Sequence, residues 1–583
     1  MSVLVGALRS AQKLKYDQSL FRSALIHKNI RHWPTMAGIT KDVALGSASK
    51  PEDTNDGYVE DVVCKVQDLA ENEMRAFDLD EQKVLVIKQK GVISAIGAKC
   101  THYGAPLVNG ALGDGRLRCQ WHGACFNIQT GDIEDFPGLD SLPCYKVTVE
   151  DDNVKVRAKR SELHAQKRVK SMAKKNVVAK EKYVIIGGGP SGATAAETLR
   201  QQGFEGDITM ICKEKYLPYD RVKVSKQMDF EIDKGQLRND AFYKDNDIEV
   251  LKGVTATAVE TENNLVKLDN GAEVKYDKLY LATGCNPRKP NVPGNDLKNV
   301  CVLRGYDDAK YAYSQLKPDI DVVVLGSSFI GMEAANFCVS KVKSVTVIGR
   351  GNAPFRATWG ERIGEAIKKV FEEKQIKYIP NNGIKKINAN SAGAVSSVEL
   401  SDGQILKCDI LLCGIGSTYC TEFLKGSGIN MRPDGSVEVN EFMQTNIPNV
   451  YCGGDIAYAP VWSHNNTKAC IGHYPLAQYH GHVSGLNMAG KSFPLKAVPY
   501  FWTMLFGKSI RYAGYGSYDD IIYAGDVEAL KFMAFFLKGD EVVSASSCGM
   551  DPLVSMFAER LAQGKKLYRN DLKDDPLAWS KLS

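Results

Sequence analysis

A chain of 583 residues, 44% hydrophobic and 25% charged, is long enough for several domains with ordinary cores. Its formal net charge of +5 demands no polyanionic partner, and no apolar run reaches the roughly eighteen residues of a membrane-spanning helix. Fifteen cysteines, scattered and mostly flanked by apolar residues, read as reduced core thiols of an intracellular protein rather than a secreted disulfide framework.

Residues 1–41 hold Arg9, Lys13, Lys15, Arg22, Lys28, Arg31 and Lys41 against the single acid Asp17, with Leu4, Leu8, Leu20, Phe21 and Leu25 interspersed. A basic, acid-poor stretch of this kind is patterned like a mitochondrial transit segment; a disordered cytoplasmic tail is the alternative. Ser, Pro, Asp, Asn and Gly over residues 42–57 read as a linker. Residues 1–57 are therefore expected to form a basic targeting or disordered segment.

Cys100-Thr101-His102 is followed, after sixteen intervening residues, by Cys119-Gln120-Trp121-His122. Gly104-Ala105-Pro106 follows the first pair, Gly123-Ala124-Cys125-Phe126-Asn127 the second, and Thr130-Gly131-Asp132 comes next. Two thiolates on one iron and two imidazoles on the other make a Rieske [2Fe–2S] centre, and residues 58–157 resemble that family. Cys2His2 also suits tetrahedral zinc, but zinc fingers keep cysteines with cysteines, whereas each pair here is mixed. The resemblance assigns Cys100, His102, Cys119 and His122 as ligands. High-potential respiratory relatives carry a further cysteine in each loop, at the positions of Ala105 and Trp121 here. That implies a lower-potential centre of the kind that feeds oxygenases.

A connector over 158–182 carries Lys159, Arg160, Lys167, Arg168, Lys170, Lys174, Lys175, Lys180 and Lys182. Without interleaved aromatics it reads as a solvated tether and argues against a nucleic-acid partner. Val184-Ile185-Ile186 then reads as a buried parallel strand leading into Gly187, Gly189 and Gly192 and an Ala-rich helix to Leu199. Between a strand and a helix, this G-x-G-x-x-G lets a pyrophosphate approach the helix N-terminus, and Glu214 is the acid placed to bind ribose. Val322 to Leu325 opens a second such unit, with Gly326 and Gly331 in the motif and Ser328 replacing the middle glycine. Two units imply two nucleotides, a bound flavin and a diffusible nicotinamide. After Val347-Ile348 comes Arg350 instead of an acid, which leans toward NADPH.

Asp277 to Gly284 and Thr445 to Asp455 resemble later signatures of two-dinucleotide-binding flavoprotein reductases, which implies flavin contacts for Thr283, Gly284 and Asp455. Leu217-Pro218-Tyr219-Asp220-Arg221 with Ser225-Lys226 is similar to a stretch of ferredoxin reductases and apoptosis-inducing factors. It implies flavin roles for Arg221 and Lys226, although Val222 and Val224 depart from the pattern. The family also implies a glutamate near the nicotinamide, here Glu333, and an aromatic pair beside the flavin ring, here Phe501 and Trp502. No C-x-x-C pair exists to take electrons from the flavin. The order of parts resembles the Rieske-containing apoptosis-inducing factor 3 family.

The expected fold is multidomain. A small antiparallel β Rieske domain (58–157) is followed by an α/β two-dinucleotide-binding flavoprotein of two Rossmann-like domains and an α+β C-terminal interface domain. The FAD-binding domain is expected over 183–315 and 440–495, the NAD(P)-binding domain over 316–439 and the interface domain over 496–583. The expected cofactors are a [2Fe–2S] cluster, FAD and NADH or NADPH, with Lys226 and Glu333 as catalytic residues. The expected activity is an NAD(P)H oxidoreductase passing hydride to FAD, then single electrons to the in-chain cluster. From there they reach an unidentified acceptor, a metalloprotein or a small molecule. A redox-linked apoptosis or signalling protein with slow NADH turnover is the alternative, and the oligomeric state stays open.

Overall fold

The computed structural model describes residues 52–54 and 57–581. The basic run from Arg9 to Lys41 lies outside the described residues, and so does most of the linker after it.

Strict alternation builds the first domain. In the strand Asn153–Lys159, Val154, Val156 and Ala158 point inward and their neighbours outward, the period of two that one buried face requires. This strand lies inside a seven-stranded antiparallel sheet that runs Glu52–Thr54, Tyr58–Lys65, Asn153–Lys159, Cys144–Glu150, Val92–Gly97, Gln82–Gln89, Glu73–Leu79. A four-stranded antiparallel sheet, Ala111–Leu112 through Arg116–Arg118 and Cys125–Asn127 to Ile133–Asp135, carries the second Cys-His loop between its middle strands, and the first loop leads into it from the strand Val92–Gly97.

The wholly apolar strands Val184 to Ile186 and Val322 to Leu325 are buried in two parallel sheets, as expected for strands covered on both faces. The first sheet runs Ile248–Lys252, Asp207–Cys212, Lys182–Ile186, Lys278–Leu281, Val450–Cys452. Its last strand follows the whole of the second sheet in sequence. That second sheet is Val300–Val302, Ile410–Cys413, Asp321–Leu325, Ser344–Ile348, Ile376–Ile379. A five-stranded antiparallel sheet, Tyr500–Leu505, Lys508–Gly514, Glu541–Cys548, Lys531–Lys538, Asp520–Asp526, ends the chain with the helix Leu553–Ala562. No helix among the described residues is long and apolar enough to cross a membrane.

The basic connector is not the solvated tether its composition suggested. Arg160 pairs with Asp80, Arg168 and Lys170 with Asp132, Lys167 with Asp140, and Lys175 with Asp207. It is strapped first to the Rieske domain and then to the first parallel sheet. Each pair is partly exposed and individually weak, but together they fix the path of the chain.

The Rieske domain is docked on the reductase through buried polar contacts. Arg118, fully buried, donates to Glu559 at 2.6 Å, to Asp135 at 2.9 Å and to the Gly123 carbonyl at 2.8 Å. Gln478 and Gly138 bond reciprocally, and Arg238 reaches Asp140 at 2.7 Å. Gly123 sits at φ +83°, where a Cβ would fall 2.7 Å from the Tyr500 ring, so no side chain fits between the domains there. Removing one member of a buried ion pair strands its partner at about 3–5 kcal/mol. Arg118→Met is therefore expected to lower stability by about that much, read from the denaturant midpoint. An unchanged midpoint would mean that this buried cluster does not hold the domains.

Candidate redox site

Two matching turns present the Cys-His pairs. Gly104 N–H donates to the Cys100 carbonyl and Gly123 N–H to the Cys119 carbonyl, while Cys100 N–H reaches Ala105 O and Cys119 N–H reaches Ala124 O. The result is a thiol pair sharing a hydrogen bond and an imidazole pair whose Nδ1 atoms lie 3.0 Å apart. That shared bond holds the Cys119 thiol below its ordinary pKa and pushes Cys100 above it. Burial brings His102 down to about 4 and His122 to about 2, so both imidazoles are neutral, the form that ligates. Among the described residues no three His, Cys, Asp or Glu converge as a single metal ion would need. Two separate pairs, one of sulfur and one of nitrogen, fit two irons.

The imidazole edge faces inward. Trp502 lies with its ring centroid 4.2 Å from His122 and 5.9 Å from His102, while Tyr103 stacks on His102 at 3.9 Å. The Tyr103 hydroxyl donates to Asp220, in the loop that carries Arg221 and Lys226. Alternation along Tyr500–Leu505 sends the two aromatics apart. Trp502 meets the histidines, whereas Phe501 enters an aromatic cluster with Phe329, Tyr512 and His473 at 4.5–5.0 Å. Of the two aromatics expected beside the flavin ring, only Trp502 is thus also turned toward the histidines.

The nucleotide sites are built on close backbone approach. A Cβ on Gly192 would fall 2.0 Å from the Gly187 carbonyl, and one on Gly331 2.0 Å from that of Gly326. Beside Gly189 no protein atom lies within 4 Å of a Cβ position, leaving open space at the N-terminus of the helix Pro190–Gln201, where a pyrophosphate fits. Glu214 accepts from Tyr219 at 2.6 Å and pairs with Arg221, whose other nitrogen reaches the Tyr219 hydroxyl and the Arg304 carbonyl. Asp455 accepts from Arg304 at 3.0 Å and from the Cys285 thiol at 3.3 Å, and a Cβ on Gly284 would meet Arg304. Thr283 spends its hydroxyl on the Cys420 carbonyl.

Lys226 and Glu333, 107 positions apart, form an ion pair. Ser225 donates to the same carboxylate at 2.6 Å and Thr503 at 2.7 Å. Three donors thus converge on one buried carboxylate, which holds the lysine in place. Arg350 stands exposed just beyond the strand Ser344–Ile348.

The pyridine nucleotide-disulphide oxidoreductase family model matches residues 181–481, and the Rieske [2Fe-2S] domain model residues 60–146. Apoptosis-inducing factor 3 of Mus musculus is 41% identical over 521 residues, 88% of this chain and 86% of the relative. This chain belongs to the apoptosis-inducing factor 3 family. The reductase part is also 28% identical to the benzene 1,2-dioxygenase system ferredoxin–NAD(+) reductase subunit of Pseudomonas putida, over 57% of this chain and 80% of that one. In fold it matches a solved covalent putidaredoxin reductase–putidaredoxin complex with TM-score 0.66 at 24% identity, covering 69% of this chain and 98% of that one. The chain is an FAD-dependent NAD(P)H oxidoreductase with a Rieske [2Fe–2S] domain.

Within this family member, several contacts at the site escaped sequence reasoning. The contacts of Arg304 with Asp455, of Tyr103 with Asp220, and of Arg118, Arg511, Ser555 and Glu559 around the second Cys-His loop have no spacing that reports them. Cys119→Ser is expected to abolish iron binding while leaving the flavin absorbance and its bleaching by NAD(P)H intact. Loss of both together would contradict separate nucleotide and cluster sites.

Proposed function

We propose that this chain carries electrons from a nicotinamide dinucleotide to its own Rieske centre, and from there to an external one-electron acceptor. The observation that supports it is the Trp502 ring, packed 4.2 Å from His122 by centroid, on the strand whose other face contributes Phe501 and whose Thr503 binds Glu333. Bound FAD supplies the exchange between a hydride's electron pair and single electrons, and the [2Fe–2S] centre supplies a one-electron carrier.

The chain's residues divide the work. Cys100, His102, Cys119 and His122 would hold the cluster. Gly187, Gly189 and Gly192 would admit the FAD pyrophosphate, and Arg221, Thr283, Gly284 and Asp455 line the same nucleotide site. Glu214 is drawn there by Arg221. Glu333 fixes Lys226, whose cation favours negative charge developing beside it. Gly326 and Gly331 shape the nicotinamide nucleotide's turn. Arg350, exposed at a strand end, suits a 2′-phosphate, while the NAD(+)-named relatives favour NADH, so both remain candidate donors. The bacterial relatives' names point to a redox protein as acceptor class. The basic residues from Arg9 to Lys41 support a mitochondrial address.

The test is anaerobic addition of NADH or NADPH, followed by absorbance and low-temperature EPR. The expected result is flavin bleaching followed by a Rieske-type signal; bleaching with a silent cluster would refute the path. Trp502→Ala is expected to slow appearance of that signal by an order of magnitude or more, with bleaching unaffected. An unchanged rate would remove Trp502 from the path.

A further inference from the structure

Ser555 and Glu559 lie one helical turn apart on Leu553–Ala562 and so share a face. Both are directed at the second Cys-His loop. The Ser555 hydroxyl donates to the Cys119 carbonyl at 3.1 Å. Glu559 grips Arg118, which donates to the Gly123 carbonyl. Between these two, Arg511 Nε donates to the Trp121 carbonyl at 2.9 Å. Alternate carbonyls of a five-residue ligand loop are thus each held by the C-terminal domain, directly or through Arg118. The first loop meets the reductase differently, through the Tyr103 side chain on Asp220.

Arg511 brings a charge as well as a hydrogen bond. Its side chain is 7% exposed, and its Nη1 pairs with Asp551 Oδ1 at 2.8 Å, where the aspartate is 33% exposed. The compensating anion therefore faces water more than the cation does, and water screens it more. Reduction adds one negative charge to an iron–sulfur cluster. A buried cation nearby stabilises the reduced form, as do hydrogen bonds toward its ligand loop.

We infer that the C-terminal domain is part of the cluster centre: Arg511, a positioning residue on the Trp121 carbonyl, raises the cluster's reduction potential, with Ser555 and Glu559 bracing the same loop. The docked reductase sets the potential of the centre it feeds. This rests on the reading that Cys100, His102, Cys119 and His122 hold a [2Fe–2S] cluster, but not on electrons arriving from NAD(P)H.

The experiment is a dithionite titration of the full-length holoprotein with redox mediators, monitored by EPR, with iron and sulfide determined for each variant. Arg511→Gln is expected to shift the oxidised-to-reduced ratio at fixed poise by about tenfold toward the oxidised form, about 59 mV downward for one electron. Asp551→Asn, which frees the Arg511 charge, is expected to shift it upward. Arg511→Lys should restore most of the wild-type value by keeping the charge. If Arg511→Gln loses its cluster, the upward shift of Asp551→Asn and the retained value of Arg511→Lys still decide the matter. Shifts of the same sign in the Gln and Asn variants, or no shift in either, would overturn the inference. A loosened loop alone would move both the same way. A wild-type chain without iron and sulfide would overturn the cluster reading itself. A silent cluster under NADH with normal potentials under dithionite would instead strike only at the proposed electron path.

Discussion

The inward orientation of His102 and His122 onto Trp502 is the constraint on which the other contacts depend. An electron passes between carriers only over short packed distances, so the edge through which a cluster exchanges electrons determines its partner. Here that edge is covered by the chain's own reductase part. On the proposed path the donor to the cluster is thus built in, and no encounter between separate proteins is needed for this step. Tethering turns a bimolecular meeting into an intramolecular one, with the gain in effective concentration that follows.

Holding the edge in place takes a rigid interface, and the chain builds it from desolvated charge. Arg118, Glu559 and Asp135 bury together, and Arg238 does the same with Asp140 and Glu197. Such groups contribute little net stability over an apolar equivalent, because desolvation offsets most of the attraction. Their geometry is demanding, however, and a shift of the Rieske domain would break the two pairs that cross the interface, Arg118 with Glu559 and Arg238 with Asp140. The interface therefore selects one docking pose. The strapped connector works in the same direction, bringing the chain from Asp132 to Asp207 along a fixed path.

What sequence reasoning could reach follows from separation along the chain. The Cys-His pairs and the Gly187 to Gly192 turn are local patterns, and each lies in the local structure its spacing implies. The pairing of Lys226 with Glu333 was not legible, although both residues were singled out, because each was read within its own motif. Arg118 with Glu559 and Arg511 with Trp121 are separated by 441 and 390 positions. Neither pair has a spacing that reports the contact. The connector was misread for a related reason: its partners Asp80, Asp132, Asp140 and Asp207 are scattered through two domains, so only the cations stood out as a run. Phe501 and Trp502 were picked out by a family segment, and that resemblance does not report that strand alternation sends only Trp502 to the histidines.

The most direct test of an in-chain electron path is the order of the reaction. Anaerobic stopped-flow mixing of the holoprotein with excess nicotinamide dinucleotide, repeated over a wide range of protein concentration, gives the rate at which the cluster signal appears. A docked histidine edge predicts a first-order rate independent of protein concentration. A rate that rises in proportion to protein concentration would mean that electrons reach the cluster from another molecule, which the inward-facing edge contradicts.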